Sequence, residues 1–167
     1  MWDKYQKTLN SETSFSGIGL HSGIKVDVTL IPGNSNSGIV FKRIDLEKDN
    51  EIVANFKNVS SAKLCTKIEN NHGVSVSTIE HLLAAFYVCG IDNIIVNLNG
   101  PEVPIMDGSA KEFVKIINEI GLKTLEGKRK FVRVKKSVEL KKEDGRSIIV
   151  KPSSQTFDVK FTLNYKK

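Results

Sequence analysis

Cysteine is scarce: Cys65 and Cys89 are the only two in 167 residues, and they form no close pair of the kind that builds a zinc knuckle or a dithiol redox motif. Both are expected to be reduced and packed as small apolar residues. No apolar run approaches the ~18 residues that mark a membrane span. The start, Met1-Trp2-Asp3-Lys4-Tyr5-Gln6-Lys7, lacks the apolar centre of a signal peptide, so a soluble, cytoplasmic protein is expected. There is no GxGxxG before a helix, which argues against dinucleotide binding, and no H-E-x-x-H, which excludes a zincin by pattern. Aromatics are few, and the basic stretch 128–142 holds Phe131 as its single one, with no RNP-like motif. That composition argues against nucleic acid as a partner.

Excess positive charge is missing from most of the chain as well. Residues 1–126 carry 12 Lys+Arg against 15 Asp+Glu, a balance of −3, whereas residues 127–167 carry 13 against 4, a balance of +9. The basic segment suits an anionic membrane surface, at most a weak association, or a phosphorylated small molecule; a solvated strand face with lysines blunting its edge is the plainer reading. At 40% hydrophobic residues, the length supports one good core and a remainder. The expected fold class is α+β: a two-layer α/β sandwich at 1–126, with a mixed or antiparallel sheet and two helices on one face. The first strands of a second, similar domain are expected at 127–167.

What is present centres on Val74–Gly90. A short alternating strand, Val74-Ser75-Val76-Ser77, runs into a helix that Thr78 or Ser77 can cap and Gly90 can end. Ile79, Leu82, Leu83 and Phe86 form one apolar face, and His81, Ala84, Ala85 and Val88 a second, so the helix is expected to be buried on both sides. Glu80 and His81 in its first turn then lie in an interior of low dielectric and need a partner, either a hydrogen-bond network or a metal ion. The imidazole can bind a metal while the carboxylate takes a proton from water. A catalytic zinc usually has three protein ligands, and the chain offers His21, His72, Cys65 and Asp107 besides His81 at irregular separations. A hydrogen-bonded core histidine is the competing reading.

Around this centre, polar residues are too frequent from Tyr5 to Phe15 to give a clear strand, and Phe15–Gly23 reads as a glycine-punctuated turn. Residues 24–30 alternate, 32–38 are a turn and 39–43 return, which predicts a hairpin. Short strands are expected at 51–56, 63–67 and 93–99, and a turn at 70–73. Ser109 and Glu112 match a capping box opening a helix that Gly121 ends, with Phe113, Ile116, Ile117 and Ile120 inward. Residues 125–130 read as a charged linker, followed by strands at 131–140, 147–150 and 157–163.

Five motifs in this order, Gly17-Ile18-Gly19-Leu20-His21-Ser22-Gly23, Leu64-Cys65-Thr66, Ser77-Thr78-Ile79-Glu80-His81-Leu82, Gly90-Ile91-Asp92-Asn93 and Pro104-Ile105-Met106-Asp107-Gly108-Ser109-Ala110, resemble the UDP-3-O-acyl-N-acetylglucosamine deacetylases, zinc amidases of lipid A synthesis. The resemblance runs from about Tyr5 to Tyr165 and covers the first half or so of the family's usual length. It implies Zn2+ as cofactor, a UDP-linked acylated glucosamine as substrate, His81 as a zinc ligand and Glu80 as the general base that activates zinc-bound water. It implies an orienting role for Asp107, and a pocket lined by Leu64, Cys65 and Thr66. Arg146 and Tyr165 fall at substrate-binding positions suited to a diphosphate and a uracil ring, and His21 is a candidate phosphate contact. The family's remaining zinc ligands and its general acid lie in its second half, so this chain is expected to be inactive alone and the complete enzyme a monomer. The alternative is a non-catalytic fragment or degenerate homologue that binds a nucleotide or a protein.

Overall fold

The structure is a computed structural model that describes residues 3–154 and 157–163. The chain divides into two compact units, Met1–Arg129 and Lys130–Lys167. In the first unit the elements run β1 (Tyr5–Leu9), β2 (Thr13–Ile18), β3 (Lys25–Pro32), β4 (Ile39–Arg43), β5 (Glu51–Val53), a 3-10 turn (Phe56–Asn58), β6 (Val59–Ser61), β7 (Lys67–Glu69), β8 (Ser75–Val76), α1 (Glu80–Cys89), β9 (Ile94–Leu98), α2 (Lys111–Ile120) and β10 (Leu122–Lys128). The second unit holds β11 (Val138–Lys141) and β12 (Ser147–Val150).

This is an α+β fold. A five-stranded mixed sheet in the order β2-β3-β9-β4-β5 turns Val26, Val28, Leu30, Phe41, Ile52, Ile94, Val96 and Leu98 to one face. Leu82, Ala85 and Phe86 of α1 and Phe113 and Ile117 of α2 join the same buried cluster, and Phe15 of β2 meets Phe113 edge-on at 5.4 Å. The two helices thus share one side of the sheet. A three-stranded sheet, β6-β7-β8, and the pair β1-β10 complete the unit.

The expected hairpin of 24–30 with 39–43 does not form: β9 lies between β3, to which it is antiparallel, and β4, to which it is parallel. The reason is visible in the loop 33–38, whose amides are not satisfied across a hairpin. Gly33 N–H donates to Thr8 Oγ1, Asn36 N–H to Gln6 Oε1 and Gly38 N–H to Asn93 Oδ1, each at 2.9 Å. The same contacts explain why β1 was obscured. Gln6 and Thr8 are polar yet buried, because this network pairs them. β2 is likewise a full strand through Ile18, which confines the turn to Gly19–Gly23.

Residues 125–130 are not a linker through most of their length. Leu122–Lys128 is a strand antiparallel to β1, and Arg129 closes it with a bidentate pair to Asp92 (Nε to Oδ1 2.7 Å, Nη2 to Oδ2 2.6 Å) and a donation to Gly90 O at 2.8 Å. Residues 63–66 form a loop rather than a strand. In the second unit β11 and β12 make an antiparallel hairpin, but residues 131–136 and 157–163 carry no strand. Its apolar residues Val138, Leu140, Ile148, Ile149 and Val150 are exposed. The sheet described in this unit is two-stranded, β11 with β12, in place of the three strands expected.

Candidate active site

The organising junction lies where β8 gives way to α1. Ser77 bridges in parallel to Glu102: Ser77 N–H donates to Pro101 O at 3.0 Å and Val103 N–H donates to Ser77 O at 3.1 Å. Thr78 then takes φ +57°, a left-handed conformation that β-branched residues rarely adopt, and the chain turns into α1 with Glu80 as its first residue. Neither Thr78 nor Ser77 caps the helix; the cap is Ile79, with no side-chain bond. The Ser77 hydroxyl donates to Pro101 O at 3.2 Å, and the Thr78 hydroxyl to Glu102 Oε1 at 2.8 Å. Gly90 ends the helix at φ +77°, ψ +30°, with Ile91 N–H reaching Phe86 O at 2.9 Å.

Glu80 and His81 differ in how they are satisfied. Glu80 Oε2 accepts the Thr66 N–H at 3.0 Å, and Thr66 O in turn accepts Ile79 N–H at 3.5 Å, so the loop 63–66 and the helix start hold one another. His81 is half-buried, and its Nδ1 has neither solvent nor a hydrogen-bond partner. Such a nitrogen costs free energy unless something else satisfies it, and a neutral imidazole is a common metal ligand. The pair fits one metal ligand beside one base. Among the described residues no group of three or more His, Cys, Asp or Glu is arranged to hold a metal.

The rest of the sequence candidates scatter around this pair or away from it. Leu64, at φ +69°, is 85% exposed, while Cys65 and Thr66 are half-buried beside it in the same loop. The His21 side chain is exposed, and its backbone N–H is held by Glu102. His72 is exposed in the turn 70–73, its Nε2 3.6 Å from Asp49 Oδ1. Asp107 is exposed and accepts both the hydroxyl and the N–H of Ser109 at 2.9 Å, which hold its carboxyl below the usual range. It makes no bond to Glu80 or His81. This contact also displaces the expected capping box: Ser109 turns to Asp107 and to Lys111 N–H, and α2 is capped by Ala110 without a side-chain bond. Arg146 is exposed at the β11–β12 turn and already paired with Asp144 (Nε to Oδ2 2.7 Å), a contact that lowers the Asp144 carboxyl to about 2. Tyr165 lies outside the described residues.

Among the described residues helix α1 is covered on one side, as expected of a helix whose second apolar face wants a layer that this chain does not supply. Leu82, Ala85 and Phe86 are buried, but Ala84, Tyr87 and Val88 are exposed, Val88 at 68%.

One residue of this neighbourhood escaped the sequence reading. Glu102 is 1% exposed and accepts hydrogen bonds from His21 N–H (3.0 Å), Ser22 N–H (2.7 Å) and Thr78 Oγ1 (2.8 Å). Burial alone would raise its carboxyl, but the donors from His21, Ser22 and Thr78 outweigh that and hold it below the ordinary range. A lone Glu between two prolines carries no local signal of such a role; only the tertiary contacts show it.

Comparison with known proteins agrees with the motif order. Residues 6–167 match the family model described as LpxC, UDP-3-O-acyl N-acetylglycosamine deacetylase. Proteins named UDP-3-O-acyl-N-acetylglucosamine deacetylase from Geotalea uraniireducens (strain Rf4), Wigglesworthia glossinidia brevipalpis and Blochmanniella floridana are 50%, 47% and 45% identical over 161 residues, 96% of this chain. The chain spans about half the length of these relatives, 52%, 52% and 53% respectively. With residues 6–167 of its 167 matching the family model, the chain belongs to the LpxC family of UDP-3-O-acyl-N-acetylglucosamine deacetylases.

Proposed function

We propose that this chain supplies the general base and one metal ligand of a zinc-dependent amide hydrolase that removes the N-acetyl group from UDP-3-O-(3-hydroxyacyl)-N-acetylglucosamine, a step of lipid A biosynthesis. The observation that carries this reading is the contrast at the start of α1: Glu80 is held by one oxygen while the adjacent His81 keeps a buried nitrogen without a partner. Zinc supplies Lewis acidity that polarises an acyl oxygen and acidifies water.

The residues of this chain do the positioning and the proton transfer. His81 presents Nδ1 as the ligand atom. Glu80 is fixed through Oε2 to Thr66 N–H, which leaves Oε1 to accept the proton of the water that attacks the acetamide carbonyl. The carbon–nitrogen bond then breaks, acetate leaves and the sugar amine gains a proton. Leu64, Cys65 and Thr66 line the approach to this carboxylate from the loop that holds it, and Leu64 offers its exposed side chain to the acyl part of the substrate. His21, Arg146 and Tyr165 are assigned to the UDP end by family resemblance, and Arg146 must leave Asp144 to serve there. Asp107 orients groups at the rim. The remaining metal ligands come from outside the described residues.

The test is acetate release from the UDP-linked substrate by the full-length protein that contains this chain. Activity in the parent, lost in Glu80→Ala, supports the reading. Full turnover in Glu80→Ala contradicts it, and absence of both zinc binding and acetate release in the parent leaves a nucleotide- or protein-binding module instead.

A further inference from the structure

We infer that Glu102 is a positioning residue for the Glu80–His81 pair, acting through the strained Thr78 that precedes α1. This rests on the function proposed above and deepens it. Thr78 sits at φ +57°, two residues before Glu80, and is 2% exposed. A β-branched residue persists in that conformation only where its surroundings over-determine it. Glu102 is the surrounding group that does so: its Oε1 takes the Thr78 hydroxyl at 2.8 Å, while backbone pairing of residues 101–103 with Ser77 fixes the carboxylate's own position.

The same carboxylate gathers the turn after β2. Ser22 N–H donates to Oε2 at 2.7 Å and His21 N–H to Oε1 at 3.0 Å, so three chain segments (19–23, 77–78 and 101–103) converge on one buried charge. The approach is close enough that a Cβ at Gly19 would stand 2.5 Å from Oε2. From Thr78 the constraint passes on directly. Ile79 N–H donates to Thr66 O, and Thr66 N–H donates to Glu80 Oε2, so the rotation of the helix start sets the hydrogen bond that aims the base. Releasing Thr78 leaves the sheet and core intact and lets Glu80 lose its alignment.

The test uses Thr78→Gly, which adopts φ > 0 without strain and removes the hydroxyl, against Thr78→Ser, which keeps it, in the full-length protein. Misplacement of a catalytic group by an ångström costs up to about 100-fold. Thr78→Gly is expected to remain folded and lose about 10- to 100-fold in kcat with KM within about twofold, and Thr78→Ser to keep kcat within about twofold of the parent. Glu102→Gln, which preserves shape but not charge, is expected to follow Thr78→Gly and serves as the second variant should the glycine protein fail to fold. In this chain alone, amide exchange at Thr66 is expected to quicken in Thr78→Gly while exchange at Val28 and Val96 stays at the parent rate. Folded variants with parental kcat, a loss confined to KM, or unchanged exchange at Thr66 would overturn the positioning role. Glu80→Ala is run beside them: if it retains full turnover the proposed function itself fails, whereas its inactivity with unimpaired Thr78→Gly refutes only the role of Glu102.

Discussion

At the scale of residues, the structure separates two carboxylates that look alike in sequence. Glu80 is held by a single backbone donor and keeps one oxygen available, which suits proton transfer; Glu102 is saturated by donors and buried, which suits holding. The saturation has a consequence for stability against pH. Glu102 has a folded-state value below its ordinary 4.5, so it contributes stability that is fully present above that value. The contribution is lost as pH falls through the lower, folded-state value. Acid titration of the unfolding free energy is expected to show a fall below about pH 4.5 that is shallower in Glu102→Gln. The place of Glu80 and His81 side by side in the first turn of a helix was legible from the sequence. Glu102 was not, because its partners lie 24 and about 80 residues away in sequence. The capping role given to Thr78 failed for a related reason: its hydroxyl donates to Glu102 and reaches no helix N–H, while the Ser109 hydroxyl donates to Asp107 and accepts Lys111 N–H without closing a capping box.

At the scale of elements, periodicity did well where one face was apolar and the ends were glycine. Helix α1 with Gly90, helix α2 with Gly121 and strand β9 all follow the pattern of their residues. It did poorly where polar side chains do the burying. Strand β1 hides Gln6 and Thr8, which bind the loop 33–38, and the same loop looked like a hairpin turn because nothing local shows that Asn93 ties it to β9. Two glycines give direct tests of this level. Gly90→Ala places a Cβ at φ +77° and is expected to cost about 1–2 kcal/mol in chemical denaturation. Gly19→Ala drives a Cβ onto the Glu102 carboxylate and is expected to cost about 1–3 kcal/mol, with turnover falling beyond what the stability loss accounts for.

At the scale of the whole molecule, composition suggested a break near residue 126, but the first unit extends to Arg129. The charged run 125–130 misled because Glu126 and Lys128 sit on an exposed strand whose alternate residues, Leu125 and Gly127, are half-buried. A polypeptide of residues 1–129 is expected to unfold cooperatively. One ending at residue 126 lacks the bidentate Arg129–Asp92 pair and the bond to Gly90 O, and is expected to be about 1–3 kcal/mol less stable by urea denaturation. The hairpin β11–β12, with its apolar residues exposed, is expected to show no cooperative transition as an isolated peptide.

The central claim, that Glu80 and His81 divide base and ligand between them, is tested most directly by the zinc content of the full-length protein measured in parallel for Glu80→Ala and His81→Ala. The account predicts that Glu80→Ala keeps its zinc while losing about 100-fold or more in turnover, and that His81→Ala loses the metal. Stoichiometric zinc in His81→Ala, or loss of zinc in Glu80→Ala with His81 untouched, would contradict it.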